Sequence, residues 1–277
     1  MSTPGYQAIL NGSAVIDYSA RGRIRATGAD RARLLHALCT NDVASLRPGQ
    51  SAAVFFLNPQ GRILADADIY GGDDWLLIDV EPEAREKIFR HIDRYIIADD
   101  VTLEDVTDTT AELCIIGEAP AGTVIEGTLI GVAGCRVVIP IDAPRPALPV
   151  ATLEDARVVR IENGVPRYGE EITEAHLVQE TGLMARVHSN KGCYIGQEIV
   201  ERVRSRGQLH RSLRALRVTG TAVPAAGEKV LSGEKEAGEI ASAVFSNRFQ
   251  EIRALAWLRS LDSLSVAGAA AQLIQQA

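Results

Sequence analysis

Residues 62–70 alternate without interruption. Ile63, Ala65, Ala67 and Ile69 fall on one face of an extended segment, and Leu64, Asp66, Asp68 and Tyr70 fall on the other. A period of two is the signature of a strand that buries one face. The flanks agree. The apolar run 52–57 precedes it across the turn Asn58-Pro59-Gln60-Gly61, and 75–80 follows after Gly71-Gly72-Asp73-Asp74. Upstream, 14–17 and 23–26 predict short strands, and 30–38 predicts a helix with Leu34, Leu35 and Leu38 on one stripe. Downstream, Pro82 opens a helix with Glu83 and Glu86 near its positive end and Ile88, Ile92, Tyr95 and Ile96 on its buried stripe. Residues 101–106 and 112–116 return to strand. This order predicts an α+β layer, an antiparallel sheet with helices on one face.

Pro140, Pro144, Pro146 and Pro149 fall within ten residues and read as a linker. Thr152 and Asp155 form a capping box for a helix ending near Gly164. After about Arg211 the texture changes to short strands between glycines, at 213–218, 229–231, 239–245 and 252–258, which predicts a small β-barrel or sandwich. No internal repeat is visible, and the only biased tract is the alanine-rich 267–271.

Several function classes drop out. With 46% apolar and 23% charged residues, 277 residues suffice for a substantial core. No apolar run is long enough to span a membrane, so no membrane partner is expected. Residues 1–11 lack signal-peptide features, so the expected location is cytoplasmic. Cys39, Cys114, Cys135 and Cys193 are scattered with no C-x-x-C pair, which argues against a metal site or a disulfide framework and for reduced thiols. A net charge of −7 disfavours general nucleic-acid binding. Residues 202–217 depart from that balance, with six arginines and no acid. This stripe suits an anionic ligand or RNA, and equally a solvated strand edge.

Residues 191–198 read Lys-Gly-Cys-Tyr-Ile-Gly-Gln-Glu. Gly192 and Gly196 bracket a cysteine, and glycine permits the backbone angles of a tight loop. Ser189-Asn190-Lys191-Gly192 is a turn signal. Ile195, Ile199 and Val203 predict a short helix from near Gly196, whose amide end would face Cys193. Lys191, two positions away, favours the thiolate. Cys193 is thus either a reactive thiol or a small buried hydrophobe. Asp66 and Asp68, on one strand face, either repel so that one holds its proton more tightly or line a solvated sheet. Glu162 lies at a helix end where the dipole disfavours a carboxylate, and calls for a compensating partner: a ligand's N–H pair, or Arg160 or Arg167.

The octapeptide resembles the signature of the YgfZ family of folate-binding proteins, relatives of the glycine-cleavage T-protein. Lys191, Gly192, Cys193, Tyr194, Gly196, Gln197 and Glu198 match it, with Arg202 as the following arginine. Similar agreement runs along Thr27-Gly28-Ala29-Asp30, Thr40-Asn41-Asp42-Val43, Gly61–Asp66, Arg160–Pro166 with Tyr168-Gly169, and Gly238–Ser242. The resemblance implies a T-protein-like α+β fold of two mixed lobes and a C-terminal barrel around a central folate channel. The boundaries it implies are 1–48 with 150–208 for the first lobe, 49–149 for a second, ferredoxin-like lobe, and 209–277 for the barrel. It implies non-covalent tetrahydrofolate or a one-carbon derivative as cofactor, with Asp66, Glu162, Tyr194 and Arg202 as contacts and Cys193, Lys191 and Asp66 at the reactive end. Where the T-protein has two adjacent aspartates, this chain reads Ala65-Asp66. Where the T-protein loop has aspartate, this chain has Cys193. The implied role is support of iron–sulfur cluster assembly or maintenance in client enzymes, tRNA-modifying ones included. Implied partners are iron–sulfur assembly proteins or those clients. The alternative is an aminomethyltransferase of glycine cleavage.

Overall fold

A computed structural model of the chain describes residues 2–118, 124–207, 209–260 and 262–274. The chain opens with α1 (Pro4–Leu10), β1 (Ala14–Asp17), β2 (Gly22–Thr27), α2 (Arg31–Leu38), β3 (Ser51–Leu57), β4 (Ile63–Gly71) and β5 (Trp75–Val80). There follow α3 (Arg85–Asp93), β6 (Thr102–Asp105), β7 (Thr110–Ile116), β8 (Val124–Glu126), β9 (Cys135–Pro140), β10 (Val150–Ala151) and α4 (Leu153–Glu162). Then come α5 (Val178–Thr181), α6 (Gln197–Arg206), β11 (Ser212–Val218), β12 (Lys229–Ser232), β13 (Lys235–Ser246), β14 (Glu251–Leu258), β15 (Leu264–Val266) and β16 (Ala269–Leu273).

These strands make two five-stranded sheets and one closed barrel. The first sheet runs β10-β1-β7-β9-β8, and the second runs β3-β4-β5-β2-β6. The barrel closes as β11-β14-β13-β12-β15-β16. The architecture is the expected one, two mixed α/β units plus a C-terminal barrel. The sheets, however, cut the chain elsewhere than at 48 and 149. β2 pairs with β5 and β6, and β7 pairs with β1 and β9. The chain crosses between sheets after Asp17 and returns after Asp105. Backbone groups in a buried strand must find ladder partners wherever they lie in sequence, and a proline-rich linker does not reveal those partners.

Alternation in β4 holds. Ile63, Ala65, Ala67 and Ile69 are buried beneath Ile88 and Ile92 of α3 in the largest core. The turn Pro82–Ala84 at the start of this helix is a tighter 3₁₀ turn. The capping box at Thr152 and Asp155 is formed. In the barrel, Gly238 sits where a Cβ would lie 1.9 Å from the Trp257 carbonyl, so only glycine lets β13 approach β14. The alanine-rich tract belongs to β16 and completes the closure. α1, β8, β9, β10, α5, β15 and β16 have no counterpart among the elements expected from the sequence. No helix among the described residues is long and apolar enough to cross a membrane.

Candidate functional site

A cavity of about 510 Å³ lies between the two sheets. One wall is the polar face of β3 and β4 with Ser51, Ala53, Asp66 and Asp68, continued by Arg21 and Glu81. The facing wall is Glu126–Leu129, Arg136 of β9 and the Leu153, Ala156, Arg157 and Arg160 side of α4. Arg167, Glu170 and Arg186 complete it. Among the described residues, six arginines and six carboxylates line one space.

Beneath the cavity a buried charge network ties the sheets together. Arg136 donates to Asp68 at 2.6 Å, Asp79 at 2.5 Å, Glu112 at 3.0 Å and the Tyr70 hydroxyl. Arg21 donates to Asp79 at 2.9 Å and to Glu81. Glu81 also accepts from Arg167 Nε at 2.9 Å. Burial opposes the Asp68 anion, yet Arg136, Arg186 and Arg21 hold its carboxyl below the usual range. Burial, with Asp79 beside it, pushes the Glu112 carboxyl up, and Arg136, Arg21 and Arg23 oppose the rise.

Asp66 behaves differently from its neighbour two residues on. Among the described residues its nearest cation, Arg186, stands 3.9 Å away, and its Oδ1 is buried without a hydrogen-bond partner. Burial pushes its carboxyl up to about 6, with Arg186 opposing and Glu81 adding to the rise. The repulsion expected between Asp66 and Asp68 contributes, but burial dominates. An acceptor atom on a cavity wall with no donor is a cost unless a ligand supplies one.

The other sequence-predicted residues lie elsewhere. Glu162 is absent from the cavity wall. It ends α4 against the barrel, where its Oε1 accepts from Tyr6 at 2.7 Å and Ser246 at 2.5 Å. Neither Arg160 nor Arg167 is the compensating partner, since they pair with Glu170, Glu171, Glu81 and Glu83, and among the described residues Glu162 Oε2 is buried without a hydrogen-bond partner. Arg202 is exposed on α6, away from the cavity wall. Tyr194 is buried in the second sheet's core, with its hydroxyl unpartnered among the described residues. Burial pushes that phenol up to about 12.

Cys193 is exposed, and Cys39, Cys114 and Cys135 are buried. Its loop is strapped to the end of α2. Lys191 Nζ donates to the His36 carbonyl and lies 5.2 Å from the Tyr194 ring centre. His36 Nε2 is 2.7 Å from the Lys191 carbonyl, and Ile195 N–H donates to Ala37 at 3.3 Å. Burial draws the Lys191 ammonium below the ordinary lysine value, with Cys39, Asp42 and Cys193 opposing. Gly192 and Gly196 have φ of +95° and +82°. At Gly196, the N-cap of α6, a Cβ would sit 2.7 Å from the Asn58 carbonyl. Gln197 and Glu198 form the first turn of that helix. The arginine stripe divides between α6 and the barrel: Arg211 pairs with Glu180 and covers Trp257, while Arg214 and Arg217 bond Ser212 and Gln272.

Sequence reasoning missed Arg21, Glu81, Asp79, Glu112, Arg136 and Arg186. A signal existed: Asp79, Glu112 and Arg136 each interrupt an otherwise apolar strand, and a buried charge requires a partner.

Comparison with known proteins places this geometry. Residues 3–126 match the GCVT N-terminal domain. A chloroplastic Arabidopsis thaliana protein named as a transferase is 27% identical over 275 residues, covering 85% of this chain and 62% of that protein. The aminomethyltransferase of Koribacter versatilis is 26% identical over 297 residues, covering 91% of this chain and 78% of that enzyme. A mitochondrial iron–sulfur cluster assembly factor homolog of Pyricularia oryzae is 30% identical over 213 residues, covering 70% of this chain and 54% of that protein. The crystal structure of glycine cleavage system aminomethyltransferase T from Bartonella henselae superposes with a TM-score of 0.86 at 16% identity, covering 99% of this chain and 90% of that one. The chain therefore has the glycine-cleavage T-protein fold, matches the GCVT N-terminal domain over residues 3–126, and is similar in sequence to aminomethyltransferases and to iron–sulfur cluster assembly factors.

Proposed function

We propose that this chain binds a reduced folate in the cavity between its sheets and acts, in the manner of the YgfZ proteins, in the assembly or maintenance of iron–sulfur clusters in client enzymes, tRNA-modifying ones among them. The observation that carries the ligand half is Asp66, a cavity-wall residue whose Oδ1 is buried without a donor among the described residues. A reduced pterin offers ring and amino N–H groups to such an acceptor. A cavity of about 510 Å³ lies within the range of roughly 300–1,000 Å³ common for small-ligand sites. Bound there, a tetrahydrofolate would supply a carrier for a one-carbon unit.

The protein's own groups then divide the work. Asp66 accepts from the pterin, and Arg186 at 3.9 Å favours its ionised form. Arg136 and Arg21 keep Asp68 and Glu81 in place, so the wall is set before the ligand arrives. Cys193 is outside the cavity wall and faces solvent on a strapped loop, a placement suited to a partner protein. A single thiolate does not hold a cluster, for which about four are usual, so the remaining ligands would come from that partner. The iron–sulfur half rests on the relatives named as assembly factors.

The first test is the melting temperature with and without tetrahydrofolate, since a ligand bound to the native state raises it. The second is the activity of iron–sulfur enzymes in a strain lacking the gene, complemented with wild type or Cys193→Ala. Unchanged iron–sulfur activity in the deletion strain would remove the physiological half. A second reading, aminomethyl transfer, is favoured by the Koribacter relative. Methylene-tetrahydrofolate and ammonia formed from glycine, tetrahydrofolate, lipoylated carrier protein and glycine decarboxylase would select it.

A further inference from the structure

We propose that Arg157 and Arg160 form a carboxylate-binding subsite of the cavity, and that Glu170 is its internal occupant, displaced by the carboxylate of a bound ligand. This rests on the folate reading and adds where the acidic end of the ligand sits.

Arg157 and Arg160 lie three residues apart on α4 and so share one helix face. Both line the cavity and both point at one carboxylate. Arg157 donates to Glu170 Oε1 from Nε at 2.8 Å and from Nη2 at 2.6 Å. Arg160 Nη2 donates to Glu170 Oε2 at 2.5 Å. Two guanidinium groups gripping both oxygens of one carboxylate is the geometry that recognises a carboxylate ligand.

Glu170 is not needed to neutralise the buried member of the pair. Arg160 already has Glu171, at 2.9 Å from Nη1 and 3.0 Å from Nη2, and the Val165 carbonyl at 2.6 Å. Glu171 is fully enclosed and also accepts from the Arg167 N–H at 2.8 Å. Glu170 keeps 22% of its side chain exposed, and Arg157 keeps 33%. Glu170 therefore leaves for water without stranding a buried charge, since Arg157 retains Glu154 at 3.7 Å. Its departure leaves six arginines against five carboxylates among the described residues of the cavity wall, and the space then favours an anion. A fixed structural brace of the 166–172 segment is the competing account, and it predicts no effect on ligand affinity.

The test is calorimetric titration of wild type, Glu170→Gln, Glu170→Ala and Arg157→Gln. Three probes are used: tetrahydrofolate, p-aminobenzoylglutamate, which has the carboxylates but no pterin, and 6-methyltetrahydropterin, which has the pterin but no carboxylate. If Glu170 fills the subsite nine-tenths of the time, removing it tightens carboxylate ligands about tenfold. Both Glu170 variants are expected to tighten tetrahydrofolate and p-aminobenzoylglutamate and to leave 6-methyltetrahydropterin unchanged. Arg157→Gln is expected to weaken the two carboxylates alone. Unchanged or weaker carboxylate binding in both folded Glu170 variants overturns the proposal, as does an equal shift for 6-methyltetrahydropterin. If wild type takes neither pterin, the folate reading falls by itself. The p-aminobenzoylglutamate series then still decides the subsite: tightening supports it, and no change or no binding overturns it.

Discussion

Replacing Asp66 by asparagine should make the protein more stable at neutral pH while weakening its hold on a pterin. The carboxyl is displaced from 3.8 to about 6, mainly by burial. Each tenfold change in proton affinity is worth about 1.4 kcal/mol, so at pH 7.5 the folded state bears a cost on the order of 3 kcal/mol for keeping this group ionised. The sign follows from the direction. A carboxyl whose folded value is raised binds its proton better in the folded state, so its stabilising contribution is complete below 3.8 and is lost as the pH rises to about 6. The asparagine would carry no charge at any pH and would keep the shape. Urea unfolding of wild type and Asp66→Asn at pH 7.5 and pH 4 measures the difference. The variant should gain up to about 3 kcal/mol at pH 7.5 and little at pH 4. Tetrahydrofolate binding should fall about tenfold or more, as expected when a charged acceptor is lost. A variant less stable than wild type at pH 7.5, or one whose gain is the same at both pH values, would refute the burial argument.

Arg136→Met should destabilise the fold by about 3–5 kcal/mol, because Asp68, Asp79 and Glu112 lose their common cation; denaturant melts at pH 7.5 and pH 5 should show a larger loss at the higher pH. Glu162→Ala removes the acceptor shared by Tyr6 and Ser246 and should cost about 1–3 kcal/mol, with hydrogen exchange rising first where α4 meets β13. Gly196→Ala forces a side chain into φ +82° and against the Asn58 carbonyl, costing about 1–3 kcal/mol, read as a lower urea midpoint. Native-state alkylation followed by mass spectrometry should modify Cys193 and leave Cys39, Cys114 and Cys135 protected until unfolding.

Local order was legible in the chain, and long-range pairing was not. The alternation of 62–70, the capping box at Thr152 and the helix start beside Gly196 are each set within a few residues, so periodicity and cap chemistry reveal them. The loop around Cys193 was visible for the same reason: two glycines at positive φ, a turn and a thiol are all local. Glu162 shows where this stops. Its helix-end position called for a partner, but Tyr6 and Ser246 lie 156 and 84 residues away, and nothing in residues 160–167 points to them.

The cavity was decided by the tertiary structure alone. Its base joins residues 68, 79, 112 and 136, drawn from both sheets, with residue 21 from the connection between β1 and β2, and no spacing rule links them. The sequence determined which strands carry charge on an otherwise apolar run and which face Asp66 takes. Which cation meets which carboxylate, and that Asp66 Oδ1 meets no donor among the described residues, follows from how two interleaved sheets pack. Burial is a property of that packing, and burial is what separates the proton affinity of Asp66 from that of Asp68 two residues along the same strand face.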